Sequence, residues 1–194
     1  METSDILKLR AATGAGMLDC KKALDEAAGD FEKAAEILRK KGQAKAIKKS
    51  AEREAKDGIV HAYVHANGKI GAMVELFSET DFVAKNQVFK DLAHDIAMQV
   101  AATDPSYLRP EDIPDEVLEK EKDMYRGEMA NESKPADILD KIIEGKMTKY
   151  YEEVCLLKQT CIKDEEKTIE DLINERIAQL GEKIEIGKFC RFSI

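Results

Sequence analysis

Long apolar runs are absent from this sequence of 194 residues. It has no stretch of about 18 consecutive apolar residues, the length that a membrane-spanning helix needs. The first ten residues, METSDILKLR, also lack the apolar core of a secretory signal. These absences predict a protein that neither inserts into a membrane nor crosses one, and we expect it in the cytoplasm.

Recognisable catalytic and metal-binding patterns are absent as well. The four cysteines form no CxxC pair and have no histidine at zinc-finger spacing, so we expect reduced thiols and no metal site. The segment 14–16 (GAG) lies between two helix patterns and lacks the third glycine of a phosphate loop. His61 and His65 lie on one predicted strand, roughly 13 Å apart, which is too far to bind one metal. We therefore expect no enzyme activity.

The charge is unevenly distributed. The chain carries a net charge of -8, yet residues 39–53 contain seven basic side chains and one acidic side chain. An acidic remainder argues against direct nucleic-acid binding, which needs a basic face large enough to displace many counterions from phosphate. The basic segment has two interpretations: a solvated helical linker, or a surface complementary to acidic groups on a protein partner.

The first 42 residues predict three short helices. Thr3 or Ser4 can cap the first helix, which ends before Gly14, and the second is interrupted at Gly29. Asp30 is placed to cap the third, whose apolar residues recur at helical spacing up to Gly42. Three helices of this length predict a compact bundle, which resembles the ubiquitin-associated type.

The rest of the chain predicts an α+β core domain. Its pattern changes at Gly58, where β-branched residues alternate and Asn67-Gly68 supplies the positive φ angles of a tight hairpin turn. The predicted later elements are a basic helical linker at 43–57, a β-hairpin at 58–77, a helix at 84–102, a helical hairpin at 114–159 that turns between 131 and 135, a helix at 168–180 and a strand at 182–194. The predicted organisation is a three-helix N-terminal domain at 1–42, the linker at 43–57, and at 58–194 a core domain in which helices pack a small antiparallel sheet and the helical hairpin protrudes.

Two segments together resemble the elongation factor Ts family. They are LRAATGAGMLDCKKALDEAAGDFEKAAEILRKKG at 9–42 and SETDFVAKN at 78–86. The segment 134–154 and the closing FCRFSI are also similar to the family, so the resemblance covers almost the whole chain. One departure is the stretch 159–162, which reads Gln-Thr-Cys-Ile where family members commonly read Gln-Pro-Phe-Val.

The resemblance implies a guanine-nucleotide exchange factor of translation elongation. Such a factor binds elongation factor Tu with its GDP and promotes GDP release so that GTP can bind. It needs no cofactor of its own, because GDP, GTP and Mg²⁺ are bound by the partner. The residues that the resemblance assigns to the main contact with elongation factor Tu are Thr80, Asp81, Phe82 and Val83. Those assigned to a secondary contact are Gly14, Gly16, Met17 and Cys20.

The residues taken by themselves leave other interpretations open. Thr80 as a helix cap and Asp81 in the first turn are ordinary features of a helix start, and Phe82 would by default be a core aromatic. A buried Cys20 is likewise the ordinary interpretation of a cysteine on an apolar stripe. The alternative function is a non-catalytic helix-binding module or an RNA-binding accessory module of translation.

A homodimer is also expected. Longer family members have two related cores where this chain has one, so a second copy could supply the missing half through twofold symmetry. The predicted closing strand offers apolar residues and an open edge to that copy. The apolar residues proposed for this surface are Ile184, Ile186, Phe189 and Phe192, and Cys190 could meet its symmetry mate.

Overall fold

The protein is described by a computed structural model that covers residues 3–129 and 135–194. The helices are α1 (Thr3–Thr13), α2 (Met17–Glu26), α3 (Phe31–Glu52), α4 (Asp81–Ala84), α5 (Gln87–Thr103), α6 (Asp115–Glu128), α7 (Ala136–Val154) and α8 (Ile169–Leu180). The strands are β1 (Asp57–Val64), β2 (Ile70–Ser78), β3 (Thr160–Cys161), β4 (Asp164–Thr168) and β5 (Ile184–Ser193). Across the described residues, no helix is long and apolar enough to cross a membrane. The predicted α+β class is confirmed.

The N-terminal helices pack around a small apolar core, as predicted. The Asp30 carboxylate accepts hydrogen bonds from the backbone N–H groups of Glu32 and Lys33, both at 3.1 Å, and so caps α3. Gly14 adopts a φ of 67°, which lets the chain turn sharply after α1. The buried residues that form this core are Leu9, Cys20, Ala23, Leu24, Ala27, Ala34 and Leu38.

The prediction that the third helix ends at Gly42 is wrong. Helix α3 continues through this position to Glu52, and the chain enters β1 at Asp57. Gly42 lies against α8, where a Cβ atom built on it would come within 3.3 Å of the Ala178 methyl group. The glycine therefore permits a close approach of two helices and does not interrupt the first. The division into residues 1–42, 43–57 and 58–194 stays a prediction.

The main sheet has the antiparallel order β1-β2-β5, with β2 in the centre. The turn between β1 and β2 differs from the prediction, because of its two central residues only Gly68 has a positive φ, of 67°. The Asn67 side chain instead accepts a hydrogen bond from the backbone N–H of Lys69 at 2.9 Å. This bond stabilises the turn without placing Asn67 in the left-handed region.

One face of the sheet packs against α5 and α8 to form the main core. Phe89 and Ile96 of α5 are fully buried there, as is Leu76 of β2. Ile184 and Ile186 of β5 belong to the same core, which corrects their predicted place on an exposed dimer surface. They are buried because alternate residues of a strand point to opposite faces, and theirs is the face that α5 and α8 cover.

The predicted helical hairpin is present as α6 and α7, which begin at Asp115 and end at Val154. Its predicted turn lies mostly outside the described residues. The Lys146 ammonium lies 4.9 Å from the centre of the Tyr125 ring, a cation–π contact that joins the two helices. After α7 the chain forms the small β3–β4 hairpin, which the sequence analysis missed because its second strand, DEEKT, has no apolar alternation.

Candidate functional site

The segment that resembles the family motif forms a single helical turn at the end of the central strand. Strand β2 ends at Ser78, and α4 covers only Asp81–Ala84. Val83 and Ala84 are buried against the main core and anchor the turn. Phe82 points the other way, with 82% of its surface exposed. The interpretation of Phe82 as a core aromatic is therefore wrong.

An exposed phenylalanine on an anchored turn contributes little to the stability of the fold unless another molecule covers its ring. Fully burying such a side chain is worth about 1.5 to 3 kcal/mol, and this fold forgoes that gain at Phe82. Asn86 caps the following helix by accepting a hydrogen bond from the backbone N–H of Val88 at 2.9 Å. The turn is thus held between the sheet and α5 while its aromatic ring faces outward, an arrangement suited to contact with another molecule.

Thr80 precedes α4 but does not cap it through its side chain. Its hydroxyl donates to Glu182 Oε1 at 2.7 Å, and its backbone N–H donates to Glu182 Oε2 at 3.0 Å. We call this pair of hydrogen bonds the Glu182 clamp. The prediction of Thr80 as a capping residue is corrected: its polar groups join the turn to the segment between α8 and β5.

Asp81 is an ionised residue in the first turn of α4. Its Oδ2 accepts a hydrogen bond from Lys85 Nζ at 2.5 Å, four residues further on. This bond and the charge of Lys85 lower the pKa of the Asp81 carboxyl and raise the pKa of the Lys85 ammonium. The pair is therefore charged at neutral pH; it is lost as the pH falls through the lowered pKa of Asp81 and as the pH rises through the raised pKa of Lys85.

The secondary residues surround the loop between α1 and α2. Gly14 and Gly16 line a cleft of about 630 Å³ between the helical bundle and α8. Met17 is 39% exposed, whereas Cys20 is fully buried with its Sγ 3.6 Å from the carbonyl oxygen of Ala15. Cys20 therefore packs the bundle and offers no surface to a partner. Leu18, which follows Met17 and was predicted only as part of the apolar stripe of the second helix, is 65% exposed.

His61 of β1 and His65, which follows the strand, lie at the surface of the hairpin, and His61 has a neighbour on α5 that the sequence did not predict. His61 Nε2 is 3.2 Å from Nδ1 of His94 on α5, and Tyr63 Oη is 3.0 Å from His65 Nδ1. Burial, followed by the charge of His94, lowers the pKa of His61. In the described part of the chain, no three histidine, cysteine or acidic side chains are grouped so that they could hold a metal ion.

The fold and the candidate site together are typical of a protein that acts by contacting another macromolecule. A three-helix bundle is joined to a small α+β core, and that core presents an aromatic side chain on an anchored turn. The residues next to it along the chain are polar and hydrogen-bonded, namely Thr80, Asp81 and Lys85. This is the composition of a recognition surface.

Comparison with known proteins identifies the family. A family model described as Elongation factor TS matches residues 17–194. The chain is 54% identical over 191 residues to elongation factor Ts of Moorella thermoacetica, covering 98% of this chain and 94% of that protein. It is 57% identical over 189 residues to elongation factor Ts of Thermotoga petrophila, covering 97% of this chain and 94% of the relative. The chain belongs to the elongation factor Ts family and is a translation elongation factor.

The exposure of Phe82 leads to a prediction about the free protein. Replacing Phe82 with alanine should change the free energy of unfolding by no more than about 0.5 kcal/mol, because the side chain packs against little of its own fold. The matched control is Phe89→Ala, which removes a fully buried ring from the main core and should cost about 3 to 5 kcal/mol. Urea denaturation followed by circular dichroism measures both. A loss above about 2 kcal/mol in Phe82→Ala would show that the ring supports the fold.

Proposed function

We propose that this chain is a guanine-nucleotide exchange factor that binds elongation factor Tu in its GDP form and promotes release of the GDP, so that GTP can bind. The observation that carries the proposal is the exposed ring of Phe82 on an anchored turn, in a chain of the elongation factor Ts family. An apolar aromatic side chain held outward in this way can insert between two structural elements of a partner, as a wedge.

The proposed mechanism is the insertion of Phe82 between two helices of the nucleotide-binding domain of elongation factor Tu. Moving the ring from water into an apolar cleft gains about 1.5 to 3 kcal/mol, and about 1.4 kcal/mol corresponds to a factor of ten in an equilibrium constant. Separating those helices would disturb the Mg²⁺ and phosphate contacts that hold GDP. Phe82 alone could not account for a very large effect, so other contacts must add to it.

The neighbours of Phe82 have supporting roles in this proposal. Val83, the next residue of the turn, is buried against the main core and keeps the turn in place. Asp81 and Lys85 form an ion pair next to the ring and can meet polar groups at the edge of the partner's cleft. Met17 and Leu18 of the bundle offer a second apolar contact, beside the loop that contains Gly14 and Gly16.

The chain would make and break no covalent bond in this process and would not be an enzyme. It would need no cofactor, because GDP, GTP and Mg²⁺ stay on elongation factor Tu. Its place of action would be the cytoplasm, where translation elongation takes place. The basic segment 39–53 could also meet acidic groups of the partner, although the side chains of Lys45 and Lys49 lie outside the part of the chain whose side chains are described.

GDP release tests the exchange proposal. Elongation factor Tu is loaded with a fluorescent GDP analogue and mixed with excess unlabelled GDP and a subsaturating amount of this protein. We expect the natural chain to accelerate release, and Phe82→Ala to lower that acceleration roughly tenfold to a hundredfold, since it removes the apolar gain. Met124→Ala, which truncates a 49% exposed side chain on the helical hairpin, is the matched control and should leave release unchanged.

Two results of this assay would contradict the proposal. Release that is no faster with the natural chain than without it would favour a binding module that does not exchange nucleotide. Equal activity of Phe82→Ala and the natural chain would show that exchange does not depend on the wedge.

We also propose that the chain forms a homodimer through the outer face of its main sheet. Residues opposite one another in neighbouring strands point to the same face, and Met73 lies opposite both Ala62 and Cys190. This outer face carries exposed apolar side chains on all three strands, among them Val60 at 62%, Met73 at 45% and Phe192 at 69%. Strand β5 is an edge strand, so its backbone can also face a second copy.

Sedimentation equilibrium at micromolar concentration tests the dimer. We expect a dimer with and without reductant, and the same for Cys190→Ser, because apolar contact should hold the two copies together. Phe192→Glu should yield a monomer, since it places a charge in the contact. A monomer of the natural chain under both conditions would contradict the proposal. A dimer only without reductant would show that a disulfide between Cys190 side chains holds the copies together.

A further inference from the structure

Three segments of the chain meet at the base of the turn that carries Phe82. They are the end of α3 at Arg53, the link between β2 and α4 at Glu79 and Thr80, and the link between α8 and β5 at Glu182 and Lys183. The contacts that join them are polar, and most span more than 100 positions of sequence.

One set of contacts at this junction joins Glu79 to the other two segments. Both carboxylate oxygens of Glu79 accept from Arg53 Nη1 at 3.1 Å, and Oε1 also accepts from the backbone N–H of Lys183 at 2.5 Å. Lys183 is 8% exposed, and its Nζ donates to the carbonyl oxygen of Arg53 at 2.9 Å. These contacts fix the residue before Thr80 and the end of α3 in one arrangement.

The Glu182 clamp is the second set, and it acts directly on the residue that begins the turn. Both carboxylate oxygens are used, one by the hydroxyl of Thr80 and one by its backbone N–H. The Ser78 hydroxyl also donates to the carbonyl oxygen of Thr80, at 3.0 Å. That same carbonyl accepts the hydrogen bond of Ala84 N–H at 3.3 Å, the first bond of the helical turn. The position of Thr80 thus determines where the turn starts.

The turn needs such support because it is very short. Helix α4 has four residues, and an isolated helix of this length is unstable in water. Its C-terminal half is held by the burial of Val83 and Ala84. Phe82 precedes that anchor and is 82% exposed, so its direction depends on how Thr80 is held.

We propose that Glu182 is a positioning residue for Phe82. It would raise the fraction of molecules in which the turn is formed and the ring points outward, ready for the partner. This inference depends on the exchange function proposed above. If only a fraction of molecules is competent to bind, the apparent dissociation constant rises in inverse proportion to that fraction. Loss of the clamp should therefore raise the concentration needed for half-maximal GDP release and leave the maximal rate almost unchanged.

The test compares Glu182→Ala with a matched control, Glu170→Ala. Glu170 also lies near an end of α8, and its replacement removes one exposed ion pair, with Lys158 at 2.8 Å. We expect Glu182→Ala to raise the half-saturating concentration in GDP release by about three- to tenfold, the effect of one or two partly exposed hydrogen bonds. The control should match the natural chain. Thr80→Val, which removes the hydroxyl that donates to Glu182, should move in the direction of Glu182→Ala.

A double-mutant cycle shows whether Glu182 acts through Phe82. In a Phe82→Ala background, Glu182→Ala should have almost no further effect on GDP release, because no ring is left to orient. An equal loss in both backgrounds would overturn the proposal and indicate that Glu182 contacts the partner itself. An unchanged half-saturating concentration in Glu182→Ala would also overturn it.

Amide hydrogen exchange of the free protein separates a failure of this inference from a failure of the exchange function. The reporting amides are those of Ala84, Lys85 and Asn86, which donate the hydrogen bonds within and after the turn. Glu182→Ala should speed their exchange about three- to tenfold, and amides of α5 should not change. Faster amide exchange in Glu182→Ala, together with GDP release that the natural chain does not accelerate, would contradict the nucleotide-exchange function alone. Unchanged amide exchange would contradict the positioning role of Glu182.

Discussion

The constraint on which the site depends is that an aromatic side chain must be held outward on a helix too short to be stable by itself. Phe82 is 82% exposed, and the turn that carries it has four residues. The fold meets this constraint from both ends: Val83 and Ala84 are buried against the core, and Thr80 is held by Glu182. A ring that already points outward saves the entropy of ordering it when a partner binds.

Helix α3 joins the bundle to the core. Helix α3 runs without interruption from the bundle core to Glu52 and lies against α8, with Gly42 close to Ala178. Its end at Arg53 then enters the polar junction beneath Phe82. The two surfaces proposed to contact elongation factor Tu, one near Met17 and one at Phe82, therefore belong to parts of the chain that are in direct contact.

Local patterns in the sequence predicted the elements better than their limits and contacts. Helical spacing located the three N-terminal helices, but it ended the third at Gly42, because the close approach of α8 that favours glycine there involves residues more than a hundred positions away. Thr80 looked like an ordinary cap for the same reason, since Glu182 lies 102 positions further along the chain. The proposed role of Phe82 came from the family resemblance, because local pattern made it a core residue. Its exposure is a property of the tertiary fold.

The central claim is that binding of this chain and binding of GDP to elongation factor Tu weaken each other. The two effects must be equal in size, because the coupling free energy is shared by both ligands. Isothermal titration calorimetry of this chain against nucleotide-free and GDP-bound elongation factor Tu measures that coupling directly. We expect binding to the GDP-bound form to be weaker by about tenfold or more, a ratio that Phe82→Ala reduces. Equal affinity for the two forms would show that the chain does not weaken GDP binding.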